Sequence, residues 1–146
     1  MSSIIFSRRC EYGLQAVLYL ALKEDGEKTS IKELTKHIKI PSPFLAKILQ
    51  DLTHKGLLVS FKGPRGGFAL RKPAREITLF HVVEAIDGTA FTNGCVLGFM
   101  ECSPTSPCSL HNEWKTIRDK IQSTLVKQEI AQMARQMHKP EYMQSM

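Results

Sequence analysis

Two prolines flank Ser42 in the segment Ile-Pro-Ser-Pro, residues 40–43. Proline has no backbone N–H and its ring clashes with the preceding helical turn, so no helix continues through this segment. Serine is a common N-cap residue, and proline is well tolerated in the first helical turn. We therefore predict that one helix ends before Pro41 and that another begins with Ser42 as its N-cap. This second helix should run to about Lys55, where Gly56 ends it.

Apolar residues at helical spacing lie on both sides of this break. Residues from about Arg9 to Lys23 carry a broad apolar face and predict a first helix. Thr29 or Ser30 can cap a short second helix, because Glu33 follows Ser30 by three residues as in a capping box. The helix after the prolines is predicted to bury one face, which consists of Leu45, Ile48, Leu49 and Leu52.

Two short apolar runs follow, on either side of the turn-forming residues Lys62 to Gly67. Their alternation predicts a β-hairpin whose tip carries Lys62 and Arg65. Another short helix is predicted from Ile77 to Ile86. The order helix, helix, turn, helix, hairpin is typical of a winged helix-turn-helix. We therefore predict a mainly α fold with a small β wing, followed by a long carboxy-terminal dimerisation helix.

The basic residues are concentrated in the first half of the chain. Residues 1–75 contain 14 Lys or Arg against 6 Asp or Glu, whereas residues 76–146 contain 6 against 8. A basic surface alone is common, but its coincidence with a winged helix-turn-helix predicts binding to double-stranded DNA. The apolar runs are too short to span a bilayer and the amino terminus is a poor secretory signal. We therefore expect a cytoplasmic protein with no membrane partner.

DNA contacts are expected from the third helix and from the wing. In a winged helix, the third helix lies in the major groove and the wing reaches the backbone or the minor groove. Phe44, judged by its helical position alone, could equally belong to the core. Arg65 is predicted to enter the minor groove. The complete predicted set is Ser42, Pro43, Phe44, Lys47, Lys62 and Arg65, with Arg8, Arg9 and Lys36 as phosphate contacts.

A long helix is predicted from about Leu110 to Met137, because apolar residues recur along one narrow face. That seam consists of Trp114, Ile117, Ile121 and Leu125. It is too narrow and too long for so small a domain to cover, so we expect the helix to pack on its counterpart in a homodimer. Two recognition helices would then lie about one DNA turn apart on a palindromic operator. The alternative is a helix that folds back on its own domain.

Three of the four cysteines lie in a segment interrupted by Gly and Pro. Cys95, Cys102, Cys108 and His111 are separated by six, five and two residues. Zinc modules usually supply pairs of ligands about two to four residues apart, and only Cys108 and His111 form such a pair. Widely spaced thiolates in a loop suit an iron–sulfur cluster better. Zinc stays open, and a thiol–disulfide switch is the main competitor.

These patterns divide the chain into four parts. Residues 1–88 are the predicted winged helix-turn-helix domain, and residues 89–111 are a cysteine-rich loop, which we term the cysteine segment. Residues 112–137 are the predicted dimerisation helix, and residues 138–146 are a tail expected to be frayed.

The chain resembles the IscR and NsrR group of winged-helix regulators, the Rrf2 family. The resemblance covers nearly the whole chain, through EYGLQAVLYLA, PSPFLAKILQDLTHKGLLVSFKGPRGGFAL, ITLFHVVEAIDG and the three cysteines followed by His111. It implies a homodimeric DNA-binding regulator in which Cys95, Cys102 and Cys108 ligate an iron–sulfur cluster that alters DNA affinity. In IscR-like members a histidine in the place of His111 completes a [2Fe-2S] site. In NsrR-like members an acidic residue of the partner's first helix, in the place of Glu11, contributes to a [4Fe-4S] site.

Two other classes of function compete with this one. The first is a metal-free or zinc-stabilised winged-helix regulator that uses a thiol switch or a small-molecule effector. The second is an enzyme, which is the least favoured because the sequence has no Ser-His-Asp pattern, phosphate loop or obvious paired carboxylates. Cys10, beside Glu11, is expected to be a small buried residue near the start of a helix.

Overall fold

The computed structural model of the protein describes residues 5–89, 94–95, 97–100 and 103–137. Its helices within these ranges are α1 (Arg8–Ala21), α2 (Ile31–His37), α3 (Ser42–His54), α4 (Leu79–Asp87), α5 (His111–Lys127) and α6 (Ile130–Gln136). Strands β1 (Leu58–Phe61) and β2 (Gly67–Leu70) form an antiparallel pair, and a short 3-10 turn spans Ala74–Glu76. The predicted mainly α fold with a β wing is confirmed. None of these helices is both long and apolar enough to cross a membrane.

The buried face of α3 is the centre of the core. All four residues predicted on this face, Leu45, Ile48, Leu49 and Leu52, are 0% exposed. They belong to one hydrophobic cluster with Val17 and Leu20 of α1 and with Leu34 of α2. Full burial of a Leu or Ile side chain contributes about 1.5–3 kcal/mol, so this face holds α3 firmly against α1 and α2. The opposite face of α3 is left to solvent.

The starts of α2 and α3 are stabilised in different ways. The Ser30 hydroxyl accepts a hydrogen bond from the Glu33 backbone N–H at 3.1 Å, as predicted for an N-cap. The prediction for α3 was wrong, because Pro41 and not Ser42 is the N-cap and no side chain caps this helix. Ser42 is the first helical residue, and Pro43 stands in the first turn, where its missing N–H costs no helical hydrogen bond.

The wing is anchored to the loop that precedes α2. Its strands pair Leu58 with Leu70 and Phe61 with Gly67. The Thr29 N–H donates to the carbonyl oxygen of Phe68, the residue after Gly67, at 2.8 Å, and the Phe68 N–H donates back at 2.9 Å. A Cβ at residue 67 would lie 2.4 Å from the Thr29 carbonyl oxygen, so this close approach requires glycine. The wing is therefore fixed to the helix-turn-helix at its base.

The carboxy-terminal region is two helices, which corrects the prediction of a single helix over residues 110–137. Gln128 and Glu129 separate α5 from α6 in an extended conformation. The Leu79 N–H donates to the Gln128 carbonyl oxygen at 2.8 Å, and the Ile130 N–H donates to the Ile77 carbonyl oxygen at 2.8 Å. These two hydrogen bonds replace helical hydrogen bonds that are lost at the break, because the backbone groups of residues 128 and 130 pair with residues at the start of α4 instead.

Helix α6 folds back on the DNA-binding half of its own chain, whereas α5 packs against α4. Ile130 and Ala134 of α6 are 0% and 2% exposed, and α6 packs against α1. In α5, Leu125 is only 4% exposed, whereas Ile117 is 49% exposed. The alternative of a helix folded onto its own domain thus describes α6. The predicted seam on α5 remains open only toward its amino-terminal end.

Candidate DNA-binding surface and thiol site

The amino-terminal end of α3 faces solvent. The residues predicted there to contact DNA, Ser42, Pro43, Phe44 and Lys47, are all exposed. Phe44 is 41% exposed, and the edge of its ring meets the ring of Tyr12 at a centroid distance of 6.2 Å. Of the two alternatives for Phe44, the structure supports the surface position. The first turns of α3 therefore present polar, apolar and cationic side chains together, as base-edge contacts in the major groove require.

The tip of the wing is a tight turn that presents two cations, Lys62 and Arg65, which are both exposed. Gly63 has φ +94°, a conformation that glycine adopts at no steric cost. Lys28, for which the sequence predicted no role, places its ammonium 5.4 Å from the centroid of the Phe61 ring. It adds a third cation beside the wing. No local pattern indicates this contact, because Lys28 lies in the loop before α2 and reaches the wing only through the fold.

The predicted phosphate contacts occupy two kinds of environment. Arg8 and Lys36 are exposed, whereas Arg9 is half-buried. The guanidinium of Arg9 forms an ion pair with the carboxylate of Asp51 in α3. Because both side chains are more than a third exposed, the pair contributes only about 0–1 kcal/mol to stability. The ion pair matters mainly for geometry, because it connects the start of α1 to α3, the predicted recognition helix.

Two of the predicted thiolate ligands lie side by side. The sulfur atoms of Cys95 and Cys108 are 3.5 Å apart, and both residues are half-buried. The His111 N–H donates to the Cys108 carbonyl oxygen at 3.2 Å, so Cys108 is fixed to the first residue of α5. Cys102 lies outside the described residues. Within the described part of the protomer, neither His111 nor Glu11 completes a group of three ligands with the two thiols.

A single backbone carbonyl of the cysteine segment is held by two side chains of α5. The indole Nε1–H of Trp114 donates to the Gly94 carbonyl oxygen at 3.2 Å. The Nη1 of Arg118 donates to the same oxygen at 3.1 Å. We term this arrangement the Gly94 clamp. Trp114, predicted as part of the dimerisation seam, therefore has a contact within its own chain.

The end of α4, just before the cysteine segment, is tied to the start of α1. Asp87, the last residue of α4, accepts a hydrogen bond from the Ser7 backbone N–H at 2.8 Å and another from the Ser7 hydroxyl. The Ser7 hydroxyl oxygen in turn accepts from the Cys10 N–H at 3.1 Å, as the N-cap of α1. Eighty residues separate Ser7 from Asp87, so no local sequence signal indicates this contact.

Cys10 is not available as a ligand or a nucleophile. It is 0% exposed, which confirms the prediction of a buried residue at the start of α1. Burial, together with the nearby carboxylates of Asp87 and Glu11, raises the pKa of the Cys10 thiol to about 12. The thiol therefore stays protonated at neutral pH, whereas metal binding and nucleophilic attack need the thiolate.

A winged helix-turn-helix with an exposed third helix and a cationic wing is typical of a DNA-binding protein. The profile of the Rrf2 family, described as "Iron-dependent Transcriptional regulator", matches residues 6–136, and the chain belongs to this family. A helix-turn-helix-type transcriptional regulator of Aquifex aeolicus is 38% identical over 121 residues, which are 82% of this chain and 83% of the relative. The protein is therefore a DNA-binding transcription regulator, and its relatives are regulators rather than enzymes.

Solved structures of regulators have the same fold. CymR, the global cysteine regulator of B. subtilis, superposes with a TM-score of 0.75 at 24% identity, over 92% of this chain and 97% of CymR. Staphylococcus aureus CymR gives 0.71 at 25% identity, over 88% and 96%. The T. potens IscR gives 0.70 at 22% identity, over 90% and 87%. These similarities confirm the winged-helix architecture.

Proposed function

We propose that the protein is a homodimeric regulator whose affinity for a palindromic operator depends on an iron–sulfur cluster in the cysteine segment. Cys95, Cys102 and Cys108 are the proposed thiolate ligands. The fourth ligand is His111 for a [2Fe-2S] cluster, or Glu11 of the partner subunit for a [4Fe-4S] cluster. The observation that carries the proposal is the 3.5 Å separation of the Cys95 and Cys108 sulfurs. When bound, the cluster supplies a centre whose oxidation, nitrosylation or loss can act as the signal.

The separation of the two thiols suits a tetrahedral metal site. Two thiolates on one tetrahedral ion, with metal–sulfur bonds of about 2.3 Å, lie about 3.8 Å apart. The sulfurs of a disulfide lie about 2.05 Å apart. The observed 3.5 Å between Cys95 and Cys108, at which one thiol donates a hydrogen bond to the other, is close to the first value and far from the second. Thiolates are soft ligands that favour iron–sulfur clusters or zinc over magnesium or calcium.

Two contacts at the start of α1 offer a route from the cysteine segment to DNA. Asp87 precedes the segment and holds Ser7, the N-cap of α1. Two residues further along the chain, Arg9 pairs with Asp51 of the recognition helix. A change in the cysteine segment would therefore shift α3 relative to its position on DNA. The required effect is modest, because a tenfold change in DNA affinity corresponds to about 1.4 kcal/mol.

A thiol switch is the second candidate, and the same thiol pair favours it. Oxidation of Cys95 and Cys108 to a disulfide would close their sulfurs from 3.5 Å to about 2.05 Å, a movement within reach of side-chain rotation. The fold is also shared with an oxidised form of Staphylococcus aureus CymR, at 25% identity and a TM-score of 0.71. In this case the regulator would be metal-free or stabilised by zinc, and oxidants or a small molecule would be the effector.

Metal analysis distinguishes these candidates. We expect about two iron and two acid-labile sulfide per chain in anaerobically purified protein if His111 is the fourth ligand, and about four of each if Glu11 contributes. Zinc alone, or no metal in a folded protein with reduced thiols, would contradict the iron–sulfur proposal. Reversible loss of DNA binding on oxidation of such metal-free protein would then support the thiol switch.

Arg65→Ala is expected to weaken operator binding about tenfold, because it removes the cation at the wing tip that faces the DNA. The slope of log affinity against log salt should fall by about one, since one phosphate or groove contact is lost. Both quantities are measured by fluorescence anisotropy over a salt series. Arg135→Ala is the matched control, because Arg135 is also exposed but lies on α6. If the Arg65→Ala and Arg135→Ala variants bind the operator equally tightly, the wing is not part of the DNA interface.

A further inference from the structure

Two of the three thiols of the cysteine segment, those of Cys95 and Cys108, are positioned by the same helix. Cys108 is tied to the amino-terminal end of α5 by the hydrogen bond from the His111 N–H. Cys95 directly follows Gly94, whose carbonyl oxygen is held by Trp114 and Arg118 in the Gly94 clamp. A carbonyl oxygen has two lone pairs, so the two donors use its full accepting capacity. Consecutive Cα atoms are about 3.8 Å apart, so fixing Gly94 also restricts the backbone of Cys95.

The chemistry of Arg118 suits a site of sulfur anions. Its guanidinium carries a positive charge at every physiological pH and presents its donors in a rigid plane. One of these donors, Nε–H, is buried without a hydrogen-bond partner among the residues that the structure describes. Buried donors in proteins are nearly always satisfied. The Nε–H can therefore donate to an anionic acceptor next to the clamp, and a metal-bound cysteine thiolate has that charge.

We propose that Trp114 and Arg118 are positioning residues of the thiol site, which hold Cys95 at the distance from Cys108 that lets both sulfurs bind one metal ion. The two residues are four positions apart, which is one turn of α5, so both project from one face. Trp114 and Arg118 would fix the distance between the two sulfurs in the metal-free protein as well as in the metal-bound protein. It assigns Trp114 a function other than dimerisation.

The test measures thiol proximity without iron. A trivalent arsenical, phenylarsine oxide, condenses with two neighbouring thiols and releases water, so its affinity reports whether the two sulfurs lie together. In reduced, metal-free protein with Cys102→Ser, only Cys95 and Cys108 can form the pair, because Cys10 is 0% exposed. We expect Trp114→Phe, which keeps an aromatic ring but removes the N–H donor, to weaken arsenical binding at least about tenfold. Arg118→Met should do the same.

Two control variants separate positioning from other effects. Lys115→Met removes an exposed positive charge from the same helix and should leave the arsenical affinity unchanged. Ile117→Glu, which is expected to dissociate the dimer, should also leave it unchanged. Arsenical affinities within twofold of the parent in both clamp variants would overturn the proposal. A tenfold loss of arsenical affinity in Ile117→Glu would also overturn it, because dissociation of the dimer would then explain the loss in the clamp variants. Because no iron is used, either result is independent of the proposed iron–sulfur cluster.

Discussion

Replacement of Cys108 by alanine is expected to lower the iron and sulfide content of anaerobically purified protein to less than about a tenth of the wild-type value, because a site without one of its thiolates does not retain a cluster. Cys95→Ala should have the same effect, since its sulfur lies 3.5 Å from that of Cys108. Iron and sulfide assays and the visible absorption of the protein measure the loss. The circular dichroism spectrum should stay that of a folded helical protein, because both cysteines lie outside the hydrophobic core.

Cys10→Ala is the matched control for this experiment. It removes another cysteine, but one that is 0% exposed and whose thiol stays protonated at neutral pH. The substitution should cost about 1 kcal/mol of stability through a small cavity and leave the iron content unchanged. Normal iron in both Cys95→Ala and Cys108→Ala would contradict the ligand assignment. Equal iron loss in Cys10→Ala would mean that the assay reports damage to the fold.

Ile117→Glu is expected to convert the protein to a monomer and to lower its operator affinity by about 10²–10⁴-fold, because two linked half-site contacts are replaced by single ones. Ile117 is 49% exposed on α5, and it is the most accessible apolar residue of the predicted seam. A glutamate there would place an unpaired charge in an apolar interface between two copies of the helix. Sedimentation velocity measures the oligomeric state, and fluorescence anisotropy measures the affinity.

Val126→Glu is the control for the dimerisation prediction. Val126 is 48% exposed and lies on the same helix as Ile117. Both substitutions therefore replace a β-branched apolar residue by a glutamate at a similarly exposed helical position. It follows Ile117 by nine residues, which is about two and a half helical turns and therefore the opposite face. We expect Val126→Glu to remain dimeric. If both variants dissociate, the interface is not confined to the seam, and if neither does, α5 is not the dimerisation helix.

The fold was largely predictable because its elements are defined by local signals. The prolines at 41 and 43, the apolar spacing of α3 and the glycine-rich turn at 62–67 each restrict a few neighbouring residues. The break after Lys127 had no such signal, since neither proline nor glycine stands there. It depends instead on backbone partners near Ile77 and Leu79, which only the folded chain brings close. Phe44 is a similar case. Its spacing along α3 is compatible with a core position or a surface position, and only the folded chain shows that it lies at the surface.

The long-range contacts that hold the cysteine segment and the start of α1 in place were not predictable. Ser7 and Asp87 are eighty positions apart, and Arg118 meets Gly94 across twenty-four positions of sequence. Each residue taken alone is an ordinary polar side chain of a surface helix or loop. Arg9 was predicted to bind phosphate because of its charge, but the structure gives it Asp51 as a partner. The cysteine spacing predicted a thiol site, and the sulfurs of Cys95 and Cys108 lie 3.5 Å apart, whereas the group that the site binds stays a prediction.

Helix α5 is attached to its surroundings at both ends. Its first turns hold the Gly94 clamp, and the residues just after its last turn bridge to Thr78 beside the start of α4. With 17 residues it is about 26 Å long, at about 1.5 Å per residue. In the proposed mechanism it would act as a lever, because over this length a rotation of about 5° at the clamp would displace the far end by about 2 Å. In a homodimer each chain would contain such a lever. Small movements at the thiols would then change the spacing of the two recognition helices, so that they no longer match a rigid operator.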